Sequence, residues 1–304
     1  MNLLLAPIRG LSQIFFISNP WTGLLILLAV AYGSPMAAFL FLLGSVVQTF
    51  TAHFMGLRDD AANGLQGYNG ALVGAAAMAH VGSPGEAILL TVLGALACVP
   101  VHQLLAALFS SRPLAPLALP VLTAPFCIIA TGIFTLLPAT AGGTLDITSE
   151  PLTAVALGIS NSFAEVDLEE GWIAGVIVFV ALLIGSRAIA GFGLFGATIG
   201  VLVGLVVLGP EHVSSGLLSY SALLAAAGVS AVFLADRPLP WRIGVAIAAA
   251  LLTLPLVLLL STLGSPVLTW PFVLSTWIVL FVIRRAQAKR AGTRKQVPAL
   301  GANA

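Results

Sequence analysis

Residues 10–57 read GLSQIFFISNPWTGLLILLAVAYGSPMAAFLFLLGSVVQTFTAHFMGL, a run without Asp, Glu, Lys or Arg. A membrane-spanning helix needs about 20 apolar residues. This run has room for two, and it breaks between them at Gly33-Ser34-Pro35, where Gly and Pro interrupt the helical ladder. Further runs free of charge lie at 61–85, 87–111, 113–145, 171–186, 188–210 and 243–283, with a shorter one at 212–235. Gly82-Ser83-Pro84-Gly85 and Gly264-Ser265-Pro266 add two more breaks. Of the 304 residues, 59% are hydrophobic and 8% charged, against roughly 45–50% and 25% in soluble proteins. No water-soluble fold of this size covers itself with so few charges. Soluble enzymes, nucleic-acid binders and disordered chains are excluded, and an all-α polytopic membrane protein is expected.

Ten spans follow: 21–33, 36–55, 65–82, 86–109 and 118–137, then 171–186, 188–208, 216–234, 242–262 and 267–283. Two apolar stretches, 4–18 and 151–166, are too short or too polar to cross and read as half-membrane helices. With the N-terminus inside, all twelve Lys and Arg residues fall on the inner side: Arg9, Arg58, Arg112, Arg187, Arg237, Arg242 and the six of the tail. Eight of the eleven acids fall outside, among them Asp146, Glu165, Asp167, Glu169 and Glu170. That segregation obeys the positive-inside rule and predicts both termini in the cytoplasm. No cleavable signal peptide is expected, because Arg9 follows the first apolar stretch instead of preceding it. Cys98 and Cys127 both lie in apolar runs and read as small buried hydrophobes, neither disulfide-bonded nor metal-binding. No cofactor motif or nucleophile-base-acid set is present, so no cofactor and no catalytic residue are expected.

The chain repeats at a spacing near 150. Gly10-Leu11-Ser12-Gln13 pairs with Gly158-Ile159-Ser160-Asn161, and Asn19…Gly23 with Asp167…Gly171. Gly33-Ser34 pairs with Gly185-Ser186, and Gly64-Leu65…Tyr68…Leu72 with Gly216-Leu217…Tyr220…Leu224. Leu122-Thr123-Ala124-Pro125-Phe126 pairs with Leu268-Thr269-Trp270-Pro271-Phe272. Five crossings per repeat is an odd number, so the second repeat enters from the opposite side. The expected domains are a first inverted repeat over 1–150, a second over 151–283 and a basic cytoplasmic tail over 284–304. Inverted repeats place a substrate site near the midplane, at their interface, partly on broken helices.

At Asn19-Pro20-Trp21-Thr22-Gly23-Leu24-Leu25, at Leu65-Gln66-Gly67-Tyr68-Asn69-Gly70-Ala71-Leu72-Val73-Gly74 and at the two Leu-Thr-x-Pro-Phe segments, the chain resembles the urea transporter family. The resemblance spans about residues 8–283. It implies ten transmembrane helices plus two re-entrant half-helices, a homotrimer with a pore in each protomer, and passive permeation of urea through the bilayer. The length and simple repeat resemble a bacterial member, which implies the inner membrane. The second half departs from the family pattern: Asn161 stands where Gln or Glu is usual, and Tyr220-Ser221 where an aromatic-Asn pair is usual. A related small amide therefore stays open as permeant.

Urea is planar and neutral, with four N–H bonds and one carbonyl. A pore for it needs a flat slot, hydrogen-bonding stations and apolar walls that give ions no replacement for their hydration shell. Gln13 and Asn161 are expected at the two mouths, since a side-chain amide both donates and accepts. Phe16 shares a face with Gln13, and the resemblance makes it part of an aromatic slot. Tyr68 with Leu72, and Tyr220 with Leu224, are i,i+4 pairs on one helix face and are expected to line that slot. Thr123 and Thr269 precede Pro125 and Pro271, where proline frees backbone carbonyls; their hydroxyls are expected to meet near the midplane. Asn69 is expected to bond local backbone. His53, His80 and His102 do not occupy matched positions, which argues against an ammonium conduit. The remaining alternatives are a channel for another small neutral solute (ammonia, water or a short amide) and, more remotely, a membrane-embedded enzyme.

Overall fold

The structure is a computed structural model describing residues 3–137, 147–168 and 171–296, and these hold helices and no strand. The expected outer acids Asp146, Glu169 and Glu170 and the end of the tail, 297–304, lie outside the described residues. A helix stands at every expected span. In chain order they are α1 (Ala6–Gln13), α2 (Pro20–Gly33), α3 (Pro35–Phe54), α4 (Arg58–Ala62), α5 (Tyr68–His80), α6 (Pro84–Phe109) and α7 (Ala124–Leu136). The chain continues with α8 (Pro151–Glu165), α9 (Trp172–Gly185), α10 (Arg187–Leu208), α11 (Pro210–Val213), α12 (Tyr220–Ala227), α13 (Leu239–Ser261) and α14 (Trp270–Gln296). A π-helical turn, Gly228–Phe233, extends α12.

Among the described residues five helices are long and apolar enough to cross a membrane: α3, α6, α10, α13 and the first part of α14. The others at expected spans are shorter. At 1.5 Å per residue, the 14 residues of α2 cover about 21 Å, less than a hydrocarbon core of about 30 Å. Four of the spans start about a turn or more later than expected: 216–234 becomes helical at Tyr220 and 267–283 at Trp270, and the other two are explained by turns. The 65–82 segment becomes helical only at Tyr68, because Gly64 turns the chain at φ +82. The 118–137 segment becomes helical only at Ala124, after Leu122 at φ 56. Pro125 and Pro271 consequently sit in the first turns of α7 and α14, where the missing N–H leaves no hydrogen bond broken. They open helices instead of kinking them. α14 runs past Ile283 without a break.

Packing depends on small residues. A Cβ on Gly23 would fall 1.9 Å from the Ile8 carbonyl oxygen, so α2 crosses α1 backbone to backbone. A Cβ on Gly44 would fall 1.9 Å from that of Gly70, which fixes α3 against α5 in the same way. Phe15, Phe41, Phe126, Phe163 and Phe272 fill the core. Trp21, Leu104 and Val206 point outward and are more than two-thirds exposed, as expected where lipid is the solvent.

Candidate functional site

The two Leu-Thr-x-Pro-Phe segments meet. Leu122 and Leu268 both adopt positive φ, 56 and 47, a strained conformation for a leucine. The turn ends each incoming loop, and helix α7 or α14 starts just beyond it. The Thr123 and Thr269 hydroxyls then lie 2.6 Å apart, buried, with the Cys127 sulfur 3.1 Å from Thr269 Oγ1. Each strained leucine is held by a tyrosine. The Tyr68 hydroxyl donates to the Leu122 carbonyl at 2.8 Å, and the Tyr220 hydroxyl donates to that of Leu268. Asn69 Oδ1 accepts from the Phe126 N–H at 3.0 Å, so this residue bonds across the tertiary structure and not locally as expected. Its partner in the second half, Ser221, is buried with its hydroxyl unpaired.

A cavity of about 300 Å³ opens beside this junction. Gln13, Phe16, Tyr68 and Thr123 line it, which gathers four of the nine expected site residues in one place. The Gln13 amide nitrogen donates to the Asn63 carbonyl at 3.0 Å. Phe16 packs edge-to-face with Phe233 and Phe272, centroids 5.8 and 6.0 Å away. Asp60 and His102 line the same cavity. Basic residues attach to the elements around it: Arg9 donates to the Ala62 carbonyl, Arg242 to that of Ser230, and Arg284 to those of Leu117 and Ala118. This is the basic end of the molecule.

The other five expected residues do not line that cavity: Thr269 and Tyr220 stand at the junction beside it, and three lie apart from both. Leu72 and Leu224 are wholly buried in the core. Asn161 is also buried, and its amide donates to the Ser214 carbonyl at 2.8 Å. The reason is a difference in register. A Cβ on Gly23 meets the Ile8 oxygen, and one on Gly175 meets the Ser160 oxygen, each at 1.9 Å. Gly64 at φ +82 lies against Arg9 and Gly10, and Gly216 at φ +84 against Asn161 and Ser162. The positive-φ residues Phe16 and Leu168 stand in the same relation. All of these pairs are separated by 152 residues. Asn161 therefore corresponds to Arg9, whose own bond to Ala62 it reproduces, and Gln13 corresponds to Glu165. The expected pairing of Gln13 with Asn161 is corrected, as is that of Asn19 with Asp167: Asn19 corresponds to Gly171. Glu165, the position that matches Gln13 in this register, lies on the same face of α8 as Asn161, one turn further on.

The remaining expectations are simply placed. Asn19 Oδ1 caps α2 through the Trp21 and Thr22 N–H groups. Both cysteines are free and buried, and the described residues hold no cluster of three or more metal-ligating side chains. His80 bonds the Leu137 carbonyl and lies against Phe134, away from His102.

Comparison with known proteins bears on this geometry. Residues 4–284 match the sequence model of a family described as "Urea transporter". Urea transporter 1 of Ovis aries is 31% identical to the chain, and the alignment covers 90% of this chain and 76% of the relative. Urea transporter 1 of Capra hircus and that of Rattus norvegicus are each 30% identical with the same coverage.

Proposed function

The chain belongs to the urea transporter family, and from that premise we propose that urea crosses the membrane passively, through a pore in each protomer that joins the basic-end cavity to the threonine pair. The observation that carries this reading is the 2.6 Å contact between Thr123 and Thr269, two neutral hydroxyls from matched segments 146 residues apart. A hydroxyl both donates and accepts, so the pair offers urea a partner for its N–H bonds and for its carbonyl. Gln13 and Phe16 receive the solute at the cavity, with Tyr68 holding the slot wall. On the far side Tyr220 and Thr269 repeat the arrangement, and Glu165 takes the place of Gln13. Leu72 and Leu224 back the tyrosines from within the core, and Asn161 supports its mouth through Ser214. No step needs an ion or a cofactor, because a neutral solute carries no charge to compensate.

The finer architecture belongs to the same reading. The 152-residue recurrence, with five crossings in each half, supports two inverted repeats over 1–150 and 151–283 followed by the tail at 284–304. It also supports ten crossings with two re-entrant half-helices, α1 and α8. The gathering of basic residues at one end supports cytoplasmic termini. A homotrimer in a bacterial inner membrane completes the proposal. The test is stopped-flow light scattering on proteoliposomes, comparing urea with water and glycerol. Urea release far above that of empty vesicles, with glycerol unchanged, is the expected result. No urea enhancement by folded protein would defeat the reading.

A further inference from the structure

The basic-end cavity contains a group that a neutral solute does not need. Asp60 lines it, half-buried, in the middle of the short α4. Its carboxylate forms no ion pair: among the described residues the one such pair is Arg237–Asp236. It lies within electrostatic reach of Tyr68 and His102, both of which line the same cavity. The aromatic rings of Phe16, Phe233 and Phe272 complete the wall. A carboxylate acceptor beside aromatic rings in about 300 Å³ is chemistry for a small planar organic cation. Past the cavity the path changes character. Thr123, Thr269, Phe126 and Phe272 are buried and neutral, so a cation that entered would lose its counter-charge and its water together.

We propose that the cavity around Asp60 is a binding site for guanidinium-type cations, the charged planar analogues of urea, and that such a cation occupies the basic-end mouth and blocks it without passing the threonine pair. The block rests on the proposed pore; the binding does not. Asp60 accepts the N–H bonds of the cation, while the ring faces take its plane. Urea gains little from Asp60, because it has no charge to pair.

The experiment uses the full chain and guanidinium chloride, with sodium chloride as the ionic-strength control. Block is read as a fraction of each variant's own urea flux in proteoliposomes, with the cation added to one side at a time. Binding is read separately by titration calorimetry on the detergent-solubilised protein. Wild type should bind guanidinium, and its urea flux should fall when the cation reaches the basic end. In Asp60→Asn the affinity should fall by about tenfold, the loss expected for removing one close charge partner at a partly buried site. Asp60→Glu should keep most of it. Equal affinity in wild type and Asp60→Asn would overturn the site. A guanidinium current through wild type would overturn the block. Calorimetric binding without any urea flux would keep the site while defeating the pore reading on which the block depends.

Discussion

At the scale of single residues, the threonine pair and the two strained leucines matter most. Thr269→Val keeps the volume and removes one hydroxyl. Losing one hydrogen bond worth about 0.5–1.5 kcal/mol should slow urea by about two- to thirteenfold, while the melting temperature stays close to that of wild type. Wild-type flux in folded Thr269→Val would remove this residue from the path. Tyr68→Phe strips the Leu122 carbonyl of its donor. It should cost about 1–3 kcal/mol of stability, because a buried acceptor is left unpaired, and denaturant titration in detergent would read that directly. The corrected register makes a comparative prediction. Glu165→Ala should reduce urea permeability several-fold more than Asn161→Ala, since Glu165 and not Asn161 corresponds to Gln13; the opposite ranking in matched proteoliposomes would restore the first pairing. Asn69 was legible as a holding residue, but its partner was not. Its sequence neighbours suggested local backbone, whereas the Phe126 N–H is 57 residues away.

At the scale of elements, helix ends and crossings decide the geometry. Glu150 caps α8 by accepting from the Leu152 and Thr153 N–H groups. The Thr153 side chain and these N–H groups hold its carboxyl below the usual range. The folded state therefore gains stability from Glu150 above its ordinary titration, and loses that gain as pH falls through the lowered value. The melting-temperature gap between wild type and Glu150→Gln should be open near neutral pH and close on acidification, and a gap independent of pH would contradict the cap. The α3–α5 crossing is tighter still. Gly44→Ala would press a methyl into the Gly70 carbonyl, so it should cost about 1–3 kcal/mol or more, with folded yield in membranes as a simple readout. The short lengths of α5 and α7 follow from the same logic. Gly64 and Leu122 turn the chain before each helix starts, and such non-helical backbone at membrane depth is tolerated only against protein or a cavity. Hydropathy does not report the turn before α7, since Leu119-Pro120-Val121-Leu122 is as apolar as the helix that follows.

At the scale of the molecule, an apolar exterior surrounds a small polar seam. Leucine, valine and tryptophan face outward, while the hydroxyls and amides of the seam lie inside. In the proposed pore the two halves form one path, so neither should conduct when expressed alone. If each protomer of a trimer conducts separately, mixing wild-type and Thr269→Val protomers should give flux linear in the wild-type fraction. A steep departure from linearity would point instead to a shared pore.

The sequence alone determined the membrane class, the all-helical character, the approximate places of the apolar helices and the family. These rest on composition, on runs of about 20 apolar residues and on local motifs, which are one-dimensional quantities. It also identified the threonines and tyrosines, because they recur in matched motifs. Only the tertiary structure decided the register that relates α1 to α8. A shift of four residues is about one helical turn, so Asn161 and Glu165 present the same face to any periodicity count. The same limit hid Asp60, one of two acids in the short charged segment Arg58-Asp59-Asp60. Its place in the cavity depends on α4 folding back beside Gln13, Tyr68 and His102, a contact between segments that no local pattern encodes.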